Sequence, residues 1–139
     1  MAKFDLIGLG NALVDSEFHV TDSFLKKKGF EKGTMHLVDS DEQTNLLNSL
    51  EKEYGKPSLA CGGSATNTIF AASILGSSCS YICKVGNDKN GNFYLDDLSN
   101  AGVNIDHSVM LDSNINSGTC TVMVSPDAER TMSTCLGIS

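Results

Sequence analysis

Cys61-Gly62-Gly63-Ser64-Ala65-Thr66-Asn67-Thr68 sets two adjacent glycines directly ahead of a run of small and apolar residues. Glycine adopts torsions that other residues resist, and without a side chain it lets a ligand reach the main-chain N–H groups. A helix starting there adds unpaired donors and a partial positive charge, which suits a hydroxyl, carboxylate or phosphate oxygen. Asn67, in the first helical turn, offers a donor and an acceptor to the same ligand. Taken alone, these residues also fit a tight glycine turn followed by a surface Asn.

The second segment with chemical potential is Gly8-Leu9-Gly10-Asn11-Ala12-Leu13-Val14-Asp15. A dinucleotide fingerprint needs a third glycine or alanine where Leu13 stands, and a helix where the pattern stays extended, so a nicotinamide-dependent reading fails twice. What remains is Asp15, a carboxylate just beyond the C-terminal end of a first strand, the edge at which ligands bind in open α/β sheets. Its two acceptor oxygens suit two neighbouring sugar hydroxyls, and a solvated loop aspartate is the alternative.

Other chemistries find no support. There is no GxxxxGK[ST] phosphate loop and no GxSxG nucleophile turn. Gly86-Asn87-Asp88-Lys89-Asn90-Gly91 lacks the ligand spacing and terminal Glu of a calcium loop and reads as a turn opening a helix. His19, His36 and His107 lie far apart, none at ligand spacing from a cysteine, so no metal site is expected. Cys61, Cys79, Cys83, Cys120 and Cys135 are odd in number, lack CxxC spacing and read as free, mostly buried thiols.

The formal net charge is −7, from 17 acidic and 10 basic residues. Polyanions are repelled on average, and Lys26-Lys27-Lys28 reads as a solvated loop or helix end, so nucleic acid is not an expected partner. The segment Met1 to Gly8 lacks the features of a signal peptide. No run approaches the roughly 18 to 20 apolar residues that span a bilayer. A cytoplasmic protein without a membrane partner is expected, which the cysteines support.

The elements that must position these residues alternate short apolar runs with helical patterns, which predicts an α/β fold in one domain of 139 residues. Phe4 to Leu9 reads as a strand buried on both faces, Ala12 to Val20 as extended, and Thr34 to Asp39 as a short strand. A short helix is predicted at Asp22 to Lys28, between the last two. A longer one is predicted at about Asp41 to Tyr54, with Ser40 and Gln43 at capping-box spacing. The next is expected from about Ser64, its N-cap, to Leu75, and to be largely buried; the last spans about Asn90 to Ala101. Ser80 to Val85 is a strand between these two, and Thr119 to Val124 with Arg130 to Leu136 forms a hairpin around Ser125 to Glu129.

Together these pieces resemble a known family. Gly62-Gly63-Ser64-Ala65-Thr66-Asn67-Thr68, then Gly76, then Lys84-Val85-Gly86-Asn87-Asp88 and Gly91, is similar in order and spacing to the first signature of the PfkB carbohydrate kinases. Gly8 to Asp15 resembles that family's opening, while Lys32 to Asp39 and Ser125 to Met132 with Leu136-Gly137 resemble its adenosine-kinase-like branch. The resemblance implies a ribokinase-like doubly wound α/β core with a small β-sheet lid, strands at about 12–20 and 33–39 belonging to the lid. The whole span 1–139 would be the N-terminal part of a kinase domain.

By the same resemblance, Asp15 would hold sugar or ribose hydroxyls, Gly62, Gly63 and Asn67 would complete those contacts, Asn11 would line the pocket, and Arg130 would approach the transferred phosphate. Lid closure would exclude water and favour transfer over ATP hydrolysis. Complete members use ATP and Mg2+. Their catalytic Asp base and anion hole lie in a Gly-Ala-Gly-Asp-like segment absent from these residues, as are the NxxE-type segment and the ATP pocket. No catalytic or metal-binding residue is therefore assigned here, and the chain alone is expected to lack turnover. The expected role is the substrate-binding half of a kinase for a nucleoside or sugar hydroxyl, adenosine ahead of ribose or fructose. The alternative of another class is a non-catalytic ligand-binding or interaction protein, whose exposed sheet edge would favour pairing, including as a homodimer.

Overall fold

The computed structural model describes residues 3–105, 110–111 and 114–139. Met1 and Ala2 of the N-terminal segment, and His107 of the three histidines, lie outside the described residues. The elements run β1 (Leu6–Leu9), β2 (Leu13–His19), α1 (Asp22–Lys28), β3 (Met35–Leu37), α2 (Ser40–Tyr54), β4 (Ser58–Gly62), α3 (Ser64–Ile74) and β5 (Cys79–Ile82). There follow β6 (Val85–Gly86), α4 (Lys89–Asn100), β7 (Asn104–Ile105), β8 (Met110–Leu111), β9 (Gly118–Val124) and β10 (Arg130–Cys135). The chain divides into two units, one of residues Met1–Val14, Cys61–Gly118 and Leu136–Ser139, the other of Asp15–Ala60 and Thr119–Cys135.

In the first unit β1, β5 and β7 form a parallel sheet in the order β1-β5-β7. The register sets Gly8 beside Tyr81 and Leu9 beside Ile82. Side chains alternate across a strand, so Gly8 and Tyr81 share one face while Ile7, Leu9 and Ile82 share the other. The first face packs on α3, where Ile69 and Tyr81 fill the space that a side chain at Gly8 would need. Val85, Tyr94, Leu95, Leu98 and Val103 complete this core.

The opposite face corrects an expectation, because β1 is not buried on both sides. Ile7, Leu9 and Ile82 are 60%, 74% and 51% exposed, since helices of the described residues cover one face only. Nor is α3 largely buried: Thr66 and Ile69 are its buried residues, and Ile74 is exposed beside Leu75, its C-cap. An apolar run reads alike whether one face is covered or two.

The second unit is built on a five-stranded sheet in the order β3-β10-β9-β2-β4. β9 and β10 form the expected antiparallel hairpin, Arg130 facing Val124, and β3 runs parallel to β10. Phe18, Val20, Phe24, Leu25, Leu46, Leu50 and Met123 form its core. α1 occupies the predicted residues, with Lys26, Lys27 and Lys28 in its last turn, where cations oppose the helix dipole.

The capping box of α2 lies one residue earlier than expected. Asp39 accepts from the Glu42 N–H at 2.8 Å, and Glu42 accepts from the Asp39 N–H at 3.3 Å. That register frees Gln43 to turn inward. Its amide donates to Thr121 Oγ1 and the Ser133 carbonyl, each at 3.1 Å, and accepts from Ser133 Oγ at 3.0 Å. β4 was not anticipated; Pro57 and the glycines around it look like loop punctuation.

Candidate functional site

The glycine turn enters α3 through Gly63, whose φ is 105°. Such a torsion strains any residue with a side chain, so Gly63 and not Ser64 is the N-cap. No side chain caps α3, and the first helical bond is donated by the Asn67 N–H to the Gly63 carbonyl at 2.9 Å. The earlier first-turn N–H groups therefore form an uncapped helix N-terminus, while Asn67 itself is exposed.

Asn11 is exposed, and its backbone closes over the same turn. A Cβ on Gly63 would lie 2.7 Å from the Asn11 carbonyl oxygen, and one on Gly10 would lie 2.8 Å from Tyr81 Oη. The glycines thus bring two loops into direct backbone contact. Asn11, Gly62, Gly63 and Asn67 are accordingly gathered at one end of the first unit.

Beneath them lies a group of hydroxyls that sequence reasoning missed. Thr66 Oγ1 donates to Tyr81 Oη at 2.8 Å and meets Tyr94 Oη at 2.5 Å. Tyr81 Oη in turn donates to the Asn11 carbonyl at 3.4 Å, and Tyr94 Oη to the Gly62 carbonyl at 3.3 Å. Burial raises both phenol pKa values, so the rings keep their protons. Hydroxyls recurring inside apolar runs (Thr66, Tyr81, Tyr94) are the only trace of this group in the sequence.

Asp88 of the Gly86-Asn87-Asp88 motif has a structural duty. Its carboxylate accepts from the Gly91 N–H at 2.7 Å, capping α4, and from the Ser117 N–H and Oγ at 2.7 and 2.8 Å.

In the second unit Asp15 stands half-buried on β2. Its carboxylate makes no hydrogen bond or ion pair among the described residues. Burial pushes its pKa up to about 6; Arg130 opposes this, and Glu17 adds to it. Arg130 is exposed at the start of β10. A desolvated carboxylate without a partner, in the field of a guanidinium, is suited to accept from ligand hydroxyls. None of the five cysteines is in a disulfide, and among the described residues no group of three or more His, Cys, Asp or Glu could hold a metal ion. Nor is any helix of the described residues long and apolar enough to cross a membrane.

The family model of the pfkB family carbohydrate kinases matches residues 34–139. The chain belongs to the PfkB family. Adenosine kinase 2 of Arabidopsis thaliana is 30% identical over 122 residues, 86% of this chain and 34% of that protein. The structure of adenosine kinase from Sinorhizobium meliloti superposes with a TM-score of 0.87 at 36% identity, covering 99% of this chain and 40% of that one. A probable sugar kinase from Rhizobium etli CFN 42 gives 0.86 at 32% identity, again covering 99% and 40%. The ribokinase-like α/β class is thus established, and the chain spans about two fifths of the solved PfkB relatives it matches.

Proposed function

We propose that these residues form the acceptor-binding part of an ATP-dependent PfkB kinase that phosphorylates a hydroxyl of a nucleoside, adenosine ahead of ribose- or fructose-type sugars. The observation that carries this reading is Asp15, a half-buried carboxylate with a raised pKa and no hydrogen-bond partner among the described residues. A ligand diol supplies the donors it lacks. In the first unit, the uncapped start of α3, Asn67 and Asn11 are assigned further hydroxyl contacts. The matches to two adenosine kinases favour a nucleoside, and the match to the Rhizobium protein keeps sugars as the second choice.

Arg130 is assigned to the transferred phosphate, and the five-stranded sheet carrying β2 and β3 serves as the lid that sheds water on closure. ATP supplies the phosphoryl group and Mg2+ its charge neutralisation in the complete enzyme. The 139 residues by themselves are expected to give no ATP-dependent product.

Thermal unfolding with and without adenosine tests the reading. Adenosine at 100 times its Kd should stabilise the chain by about 2.7 kcal/mol, and Asp15→Ala should remove that gain. An equal shift in both proteins would overturn it.

A second reading, association through the bare face of the β1-β5-β7 sheet, is favoured by exposed Ile7, Leu9 and Ile82. Its occupant is then a second copy of this chain. A dimer at micromolar concentration that Leu9→Lys converts to a monomer would support it, and a monomer throughout would exclude it.

A further inference from the structure

We infer that the buried hydroxyls of Thr66, Tyr81 and Tyr94 are positioning residues that fix the spacing between the Asn11 loop and the Gly62–Gly63 turn, and thereby the affinity of that turn for an acceptor hydroxyl. The inference deepens the acceptor-binding reading and rests on it.

An apolar core accepts Phe and Val at such positions more readily than Tyr and Thr, because a buried hydroxyl costs free energy unless it is bonded. Here each hydroxyl is bonded, and the bonds converge on the candidate site. Thr66, fully buried, precedes Asn67 on α3. Tyr81, from β5, reaches the Asn11 carbonyl, and Tyr94, from α4, reaches the Gly62 carbonyl. Both rings meet at Thr66 Oγ1. Three elements are thus tied through one oxygen to the two loops that carry Asn11, Gly62 and Gly63.

The count of protons shows how little slack remains. Three hydroxyls have three protons for four contacts. Thr66 donates to Tyr81 and Tyr81 to Asn11, which leaves the Tyr94 proton divided between Thr66 Oγ1 and the Gly62 carbonyl. Burial holds both phenols protonated, so the count stays at three protons. The close approach at Gly63 and Gly10 leaves no room for the loops to draw nearer. Because α3 has no side-chain cap, the aim of its first N–H groups depends on this turn. A turn held in place before ligand arrives loses less freedom on binding.

The test uses the 139-residue chain with Tyr94→Phe, Thr66→Val and the hydroxyl-preserving Thr66→Ser. Hydrogen exchange at the Asn67 amide, which bonds to the Gly63 carbonyl, reports the turn without any ligand. The amides of Leu95 and Leu98 in α4 report the rest of the same unit. Losing one buried hydroxyl and its contacts should speed Asn67 exchange about five- to thirty-fold in Tyr94→Phe and Thr66→Val, with Thr66→Ser close to the parent and the α4 amides changed less. Calorimetry with adenosine should show Kd weakened by a similar factor in the same two variants. Exchange that rises equally at Asn67 and Leu98, or not at all, would overturn the positioning role. If Tyr94→Phe and Thr66→Val fail to fold, Tyr81→Phe, which loses the longest contact, carries the same comparison. Should the parent chain ignore adenosine, or Asp15→Ala bind as well as the parent, the acceptor reading fails while the exchange result still decides the positioning role.

Discussion

The hydroxyl-binding groups proposed in the two units are of opposite kinds. In the first, the groups are largely backbone, set by Gly63 at a positive φ and braced by buried hydroxyls whose bonds are already made. In the second, the principal group is a charged side chain, Asp15, which has no bonded partner among the described residues and bears the cost of its own burial. In the first unit the buried hydroxyls are bonded within the fold before any ligand arrives. The other keeps a group with no bonded partner among the described residues, which a ligand is proposed to complete, as binding sites trade stability for function. Damage to the first unit should therefore lower stability and binding together, whereas damage at Asp15 should separate them.

The largest effect is expected from Gly63→Ala. The methyl would meet the Asn11 carbonyl oxygen at 2.7 Å and Thr66 Oγ1 at 3.1 Å, at a φ of 105° that alanine rarely adopts. Backbone strain and the clash together should cost about 2–4 kcal/mol, read from the midpoint of urea unfolding, with adenosine affinity lost as well. A stable Gly63→Ala chain that still bound adenosine would break the link between geometry and binding in the first unit.

Sequence reasoning reached the parts of this picture that are local. The glycine pair, the Asp15 strand, the α1 helix and the β9–β10 hairpin each rest on signals within a few residues. It missed what depends on long-range contact. The partners of Thr66 lie 15 and 28 residues away, and no periodicity announces that three hydroxyls will meet. The capping box slipped by one because Ser40 and Asp39 are both good caps, and only the inward turn of Gln43 fixes the register. The bare face of β1 was invisible because burial is a property of neighbours and not of the strand.

Asp15→Asn sharpens the comparison from the other side. Hydrogen bonds to an ionised carboxylate contribute more than neutral ones, so adenosine affinity should fall roughly 10- to 100-fold. Stability should move the other way, and the sign depends on pH. The folded pKa, about 6, lies above the ordinary aspartate value of 3.8, so the folded protein binds this proton more tightly than the unfolded chain does. The contribution of Asp15 to stability is full below the unfolded pKa and is lost as pH rises through the folded value. The Tm of Asp15→Asn minus that of the parent should therefore grow between about pH 4 and pH 6 and level off by pH 7. A difference that shrank as pH rose would mean that Asp15 has a partner in the folded chain.

The smallest effect is expected at Lys32, whose charge is paired at the surface and is assigned no contact with the acceptor. Its ammonium lies 2.8 Å from Asp22 and 2.7 Å from Asp127, joining the start of α1 to the hairpin turn. These groups stand at the surface, where water and salt screen the attraction, so Lys32→Ala should leave Tm nearly unchanged. The local signature should nevertheless be clear. Asp127 is held down to about pKa 2, chiefly by the hydrogen bond from Lys32 and then by that from Ser125. Without the ammonium its carboxyl should titrate at higher pH, still below 3.8 because Ser125 Oγ remains 2.8 Å away. Carbon-13 titration of the carboxyl would follow this, and adenosine affinity should not change. A pair whose pKa shift contributes little stability at an exposed site, and nothing to binding, is the counterpart to Asp15, where a shift of the opposite sign should move both. If Lys32→Ala lowered adenosine affinity as far as Asp15→Asn does, charge in the second unit would matter to the acceptor collectively, and Asp15 would lose its special place.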